Sequence, residues 1–253
     1  MDKSAWELFS KAREKYRREI IKLQAKLPEL QGLQQKLVDS RSAALADNMH
    51  YRVETPVVYN KALDDVNPES EIKLILVADN PGRREQAAEN RRYLVGPSGK
   101  IAEKFFRDNP SLKIDFRKNV IILNKSPIHT PRTVELKELC RLGGTDFKAA
   151  LDESQRLMAR LLLEFQRAFG NKGIPVWITG YSEMKKGGVF EAYTNEIINL
   201  YEKSPYNIFI FRHFSMNQFT IDLKKQAVPG ETVKKTLERI GSEYSRKYLW
   251  ENN

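Results

Sequence analysis

Four side chains in this chain of 253 residues stand where they could do chemistry, each at the end of an apolar run. Asp79 and Asn80 follow Leu74-Ile-Leu-Val-Ala78, Asn124 closes Val120-Ile-Ile-Leu123, and His213 follows Ile208-Phe-Ile-Phe-Arg212. A fourth run, Val176-Trp-Ile-Thr179, ends at Gly180 and Tyr181. A carboxamide can orient water or read the edge of a planar ligand, because it offers two donors and an acceptor in one plane. An imidazole can donate to a developing anion, and a carboxylate can steady a cation. Two have a plainer alternative: Asn124 as a turn initiator, His213 as a satisfied half-buried histidine.

Other polar groups suggest less. Val95-Gly-Pro-Ser-Gly-Lys100 looks like a phosphate loop, but Leu94 stands where the first glycine belongs and Ile101 follows the lysine. Its backbone amides could still cradle one phosphate at a helix start. His50 reads as structural, and His129 as a solvated loop histidine or a phosphate contact. No His, Cys and carboxylate cluster has metal-ligand spacing, so no metal is expected. The single cysteine, Cys140, cannot by itself form an internal disulfide or an iron–sulfur site.

The elements that must position these groups follow from the apolar pattern. Short Val/Ile/Leu/Phe runs without strict alternation read as strands buried on both faces, near 72–78, 119–124, 174–179 and 207–212. Helical patterns separate them, which predicts an α/β fold of three layers: a parallel four-stranded sheet flanked by helices. In such sheets the ligand crevice lies outside the carboxyl ends of the strands. Further helices are expected over 98–108, over 146–169, up to Tyr201 and from near Pro229. Residues 4–46 read as helical with a break at Pro28, so the chain divides into an N-terminal helical extension (1–50) and one α/β domain (51–253). That extension reads as a helix pair packed on the domain, with a partner- or DNA-binding arm as the alternative. The net charge of +10 favours a polyanionic partner. No run reaches membrane-spanning length and the N-terminus is charged, so a cytoplasmic protein is expected.

These segments together resemble the uracil-DNA glycosylase superfamily. Leu76-Val-Ala-Asp79-Asn80-Pro81-Gly82 is similar to its first motif in the single-strand-selective and mismatch-specific branches. Leu94-Val-Gly-Pro-Ser-Gly99 resembles the segment that follows in the thermostable, iron–sulfur branch. Asn119–Asn124 looks like the base-reading strand, Val176–Gly180 with Lys185 and Lys186 like the third strand, and His213-Phe-Ser215 like the closing His-Pro-Ser motif. The match spans roughly residues 70 to 220, in order. It implies the strand order two-one-three-four and hydrolysis of the N-glycosidic bond of a base flipped out of DNA, by a monomer without a cofactor.

In that reading Asn80 positions water, His213 stabilises the departing base, and Asp79 orients water or steadies the sugar. Asn124 reads the base, beside Pro81, Gly82, Leu94 and Tyr93. Gly96, Ser98, Lys100, Lys125, Arg132, Lys185, Arg212 and Ser215 hold phosphates, with Arg83, Arg84 and Lys186 flanking. Three departures stand out. Phe214 replaces a proline, which implies a different DNA-intercalating loop. Leu94 replaces a stacking ring, a contact Tyr93 would have to supply. The cluster cysteines are absent. The rival readings are a non-catalytic nucleic-acid binder of the same fold and a nucleotide-processing enzyme.

Overall fold

Each apolar run forms a strand in the computed structural model, which describes residues 1–45, 50–170, 174–202 and 207–251. The strands are β1 (Leu74–Ala78), β2 (Val120–Asn124), β3 (Val176–Thr179) and β4 (Ile208–Phe211). All pair in parallel in the order β2-β1-β3-β4. Ala78 is level with Asn124, and Thr179 with Phe211, so the carboxyl ends finish along one sheet edge.

Alternation along each strand divides the core into two layers. On one face Leu74, Leu76, Ala78, Val120, Ile122 and Trp177 pack with α4 (Pro97–Asp108), α7 (Gln218–Lys225) and α8 (Val233–Ser245). On the other, Ile75, Val77, Ile121, Leu123, Val176 and Ile178 meet α1 (Lys3–Lys26), α5 (Glu135–Ala168) and α6 (Glu191–Tyr201). The architecture is the three-layer α/β sandwich that strands buried on both faces require.

Asp2 caps α1 by accepting from Ala5 N at 2.8 Å, and the helix ends just before Pro28, where a proline cannot continue it. Its buried stripe is Phe9, Ala12, Tyr16, Ile20 and Leu23, the three-and-four spacing of one helix face. Phe9 lies 5.3 Å from the Phe165 ring of α5. The helix pair expected to pack on the domain is therefore part of its core. The second helix, α2, spans Leu30–Leu45; Ala46, the expected end of the helical stretch, lies outside the described residues.

Three elements differ from expectation. A short helix, α3 (Arg83–Gln86), not among the expected helices, lies between β1 and α4. The helix expected over 146–169 is present after a kink at Gly144 (φ 66°), and a further helical stretch from Glu135, not among the expected helices, precedes that kink within α5. α7, not among the expected helices, follows β4 after a turn at Ser215–Asn217, ahead of the helix expected near Pro229, which starts at Val233. Among the described residues no helix is long and apolar enough to cross a membrane.

Candidate active-site cleft

A cleft of about 580 Å³ opens at the carboxyl edge of the sheet, bordered by Asp79, Asn80, Gly82, Leu94, Thr130 and His213. Its volume suits a small organic ligand. Gly96 and Ser98, at the start of α4, also line it, as do Arg83, Arg84, Arg132 and Ser215.

Asp79 is held from below. Its Oδ1 accepts from Lys125 Nζ at 2.5 Å and its Oδ2 from Thr133 Oγ1 at 3.2 Å. Gly180 (φ 83°) lies so close that a Cβ there would sit 2.5 Å from Asp79 Oδ1, so only glycine fits. Asn80 directs its amide nitrogen at Ile128 O (3.2 Å) and Thr130 Oγ1 (2.8 Å). Asn124 is buried on the same sheet face as Ala78, which also lines the cleft. Its Nδ2 makes no hydrogen bond to another protein group, and Asn124, expected to read a base, is not among the residues that line the cleft.

His213 is half-buried. Its Nδ1 accepts from the Ser215 backbone N–H at 3.0 Å, so in the neutral ring the proton sits on Nε2. Burial lowers its pKa; the Asp79 carboxylate opposes that shift and the Lys125 ammonium adds to it. The ring is thus a neutral Nε2–H donor at pH 7.

Several expected contacts fall elsewhere. Lys125 is fully buried, spanning β1 and β3 through Asp79, Thr179 O (2.5 Å) and Gly180 O (3.2 Å), and cannot reach a phosphate. Of the segment 125–132 after β2, which reads as a polar loop in the sequence, residues 125–130 are all buried and Arg132 is exposed. Within them His129 donates from Nδ1 to Pro81 O (2.8 Å) and accepts from Tyr51 at Nε2 (2.8 Å), so it is a structural clasp and touches no phosphate. Pro81 is correspondingly buried, its carbonyl taken by His129 and by Thr130 N. Exposed His50 lies 3.1 Å from Asp39.

Tyr93 turns away from the cleft and is buried. Its hydroxyl donates to Val58 O at 2.6 Å and lies 2.5 Å from the Tyr16 hydroxyl of α1. It supplies no ring to a ligand, and no Phe, Tyr or Trp is among the described lining residues. Leu94 takes that border, in a left-handed turn (φ 52°). Arg117 donates to its carbonyl at 2.8 Å, and a Cβ on Gly99 would lie 1.5 Å from that same oxygen. The turn therefore rests directly on α4.

Lys100 lines a separate groove of about 760 Å³ beside β2. Arg212 lies outside the cleft lining, 3.3 Å from Asp222 and over the Tyr181 ring. Lys185 and Lys186 are exposed and also outside it. Phe214 is fully buried, stacked on Phe219 at 4.3 Å, while Met216 beyond it is 83 % exposed with φ 52°.

Sequence reasoning missed Glu85, Thr130 and Thr133. Glu85 is buried at the cleft and accepts from Gly82 N at 3.0 Å; its place three residues after a helix-capping position was the available signal. Burial raises its pKa to about 7, against the backbone amides of Gly82, Leu94 and Gly96 and the Arg117 charge. Among the described residues no three His, Cys, Asp or Glu side chains gather as a metal site would need.

No protein-family model matches the chain, and no curated protein matches it. Function is read from the cleft.

Proposed function

We propose that the chain is a DNA glycosylase that hydrolyses the N-glycosidic bond of uracil or a related deaminated base. The observation that carries this reading is the meeting of Asp79, Asn80 and His213 at one cleft. A base flipped out of the strand would enter that cleft. His213 Nε2–H donates to the base O2, where negative charge gathers as the bond breaks. Asn80 holds the water whose oxygen bonds to C1′ as the bonding pair departs with the base. Asp79 faces the sugar, where oxocarbenium character develops.

Arg83, Arg84, Arg132 and the start of α4 border the cleft and suit the flanking phosphates. Binding then rests on counterion release and weakens steeply with salt. The rival reading, a non-catalytic binder, is favoured by the aliphatic Leu94 at a border where a ring would stack on the base.

The test uses labelled oligonucleotides carrying single damaged bases, followed by alkaline cleavage at abasic sites. The wild type cleaves at uracil or hypoxanthine. Asn80→Ala and His213→Ala each lose ~10²–10³ in rate, with affinity for the DNA nearly unchanged in Asn80→Ala. Activity surviving both changes would assign the chemistry elsewhere. Binding without cleavage in the wild type would favour the binder.

A further inference from the structure

We infer that Thr130 is a positioning residue that locks the Asn80 carboxamide with its carbonyl oxygen toward the cleft, so that the group held there must be a proton donor. This rests on the reading of Asn80 as the residue that places water.

The two ends of an asparagine amide are nearly the same size, so the neighbours' hydrogen-bonding capacity decides which end faces them. Asn80 has two such neighbours on one side. Ile128 O, at 3.2 Å, is a carbonyl and can only accept. Thr130 Oγ1, at 2.8 Å, has a single proton and directs it to Arg132 O at 2.9 Å. Only its lone pairs remain for Asn80. Both neighbours therefore demand the NH₂ end, and a flipped amide would set oxygen against oxygen at each.

Thr130 is itself well anchored. It is 1 % exposed, its N–H donates to Pro81 O at 3.2 Å, and the preceding His129 clasps the same carbonyl. The loop after β2 is thus folded back onto the loop after β1, and the threonine hydroxyl arrives at Asn80 from a rigid base. With both amide hydrogens committed, Asn80 offers the cleft Oδ1 alone, which is acceptor-only. It can take an O–H from neutral water. It cannot donate to hydroxide or to a phosphate oxygen. Asn80 therefore selects neutral water as the group it orients, and it is excluded from the phosphate-binding set.

The test compares Thr130→Val, which keeps the shape and loses the acceptor, with Thr130→Ser, which keeps the acceptor. In the ¹⁵N-labelled full chain, the Asn80 side-chain amide is assigned as the pair absent from Asn80→Asp. Its hydrogens should exchange with solvent about tenfold faster in Thr130→Val than in the wild type, the weight of one net hydrogen bond. Thr130→Ser should match the wild type. On uracil-containing oligonucleotide, Thr130→Val should lower kcat by roughly ten- to a hundredfold with KM unchanged, and Thr130→Ser should restore it. Thr130→Ala replaces the valine variant if that one does not fold. Wild-type exchange in Thr130→Val, or equal losses in the valine and serine variants, would overturn the inference. If the wild type releases no base from any oligonucleotide, the glycosylase reading fails, while the amide exchange still decides the role of Thr130.

Discussion

Two buried titratable side chains beside the cleft pull stability in opposite directions as pH changes. Burial lowers the His129 pKa from 6.5 to about 4, against the Pro81 carbonyl that favours the proton. Between those values the unfolded chain holds more protons, so this contribution is present above pH 6.5 and is lost as pH falls through 4. Glu85 behaves oppositely, its pKa raised from 4.5 to about 7. There the native chain holds more protons, and the contribution present below pH 4.5 is lost as pH rises through 7. Each is worth on the order of 3 kcal/mol across its window. His213, also lowered by burial, adds to the His129 slope. Between pH 4.5 and 6.5 the urea midpoint of Glu85→Gln should climb with pH, while that of His129→Asn should fall. The wild type should change less than either. Variants that run parallel to the wild type would show that neither side chain carries its shift.

At the scale of elements, the turn between β4 and α7 separates a structural residue from an exposed one. Phe214 is buried among Phe105 and Phe219, so Phe214→Ala should destabilise by about 3–5 kcal/mol, as for other buried aromatic truncations. Met216 touches little and holds an apolar side chain out at the cleft rim beside Ser215. Met216→Ala should leave stability within about 0.5 kcal/mol. If the rim enters duplex DNA, the same change should slow base release from duplex far more than from single strand, because an apolar wedge stabilises only the unstacked step. Equal slowing on both substrates would remove Met216 from that role. Phe214 thus ties the turn to the core, and the exposed apolar side chain is Met216, two residues further on.

For the whole molecule, the test of integrity is the N-terminal helix. α1 supplies Phe9, Ala12, Tyr16, Ile20 and Leu23 to the same core layer as α5, and its Tyr16 hydroxyl meets Tyr93 beside the Leu94 turn. Burial of a large aliphatic or aromatic side chain is worth about 1.5–3 kcal/mol, so losing four of them together exceeds the 5–15 kcal/mol margin of most domains at its lower end. A chain starting at Pro28 should lose its cooperative unfolding transition. A truncated chain that still melts cooperatively, with the wild-type midpoint, would make α1 an accessory after all.

The strands and their polar ends were legible in the amino-acid sequence because both signals are local. A short apolar run marks a buried strand, the residue after it lies at the sheet edge, and parallel pairing brings those edges level. Asn80 and His213 meet at the cleft for that reason, whereas Asn124 is buried and not among its lining residues. The roles of Lys125, His129 and Tyr93 were not legible, because each depends on a partner from a distant segment. Lys125 is buried since Asp79 and the Gly180 carbonyl wait for its charge, and His129 since Pro81 and Tyr51 satisfy both ring nitrogens. Tyr93 points inward since Tyr16 and Val58 take its hydroxyl. A lysine, a histidine and a tyrosine in polar surroundings read the same whether they face water or a buried partner. Only the packing of segments far apart in the chain decides which, by supplying or withholding the hydrogen bonds that burial of a polar group demands.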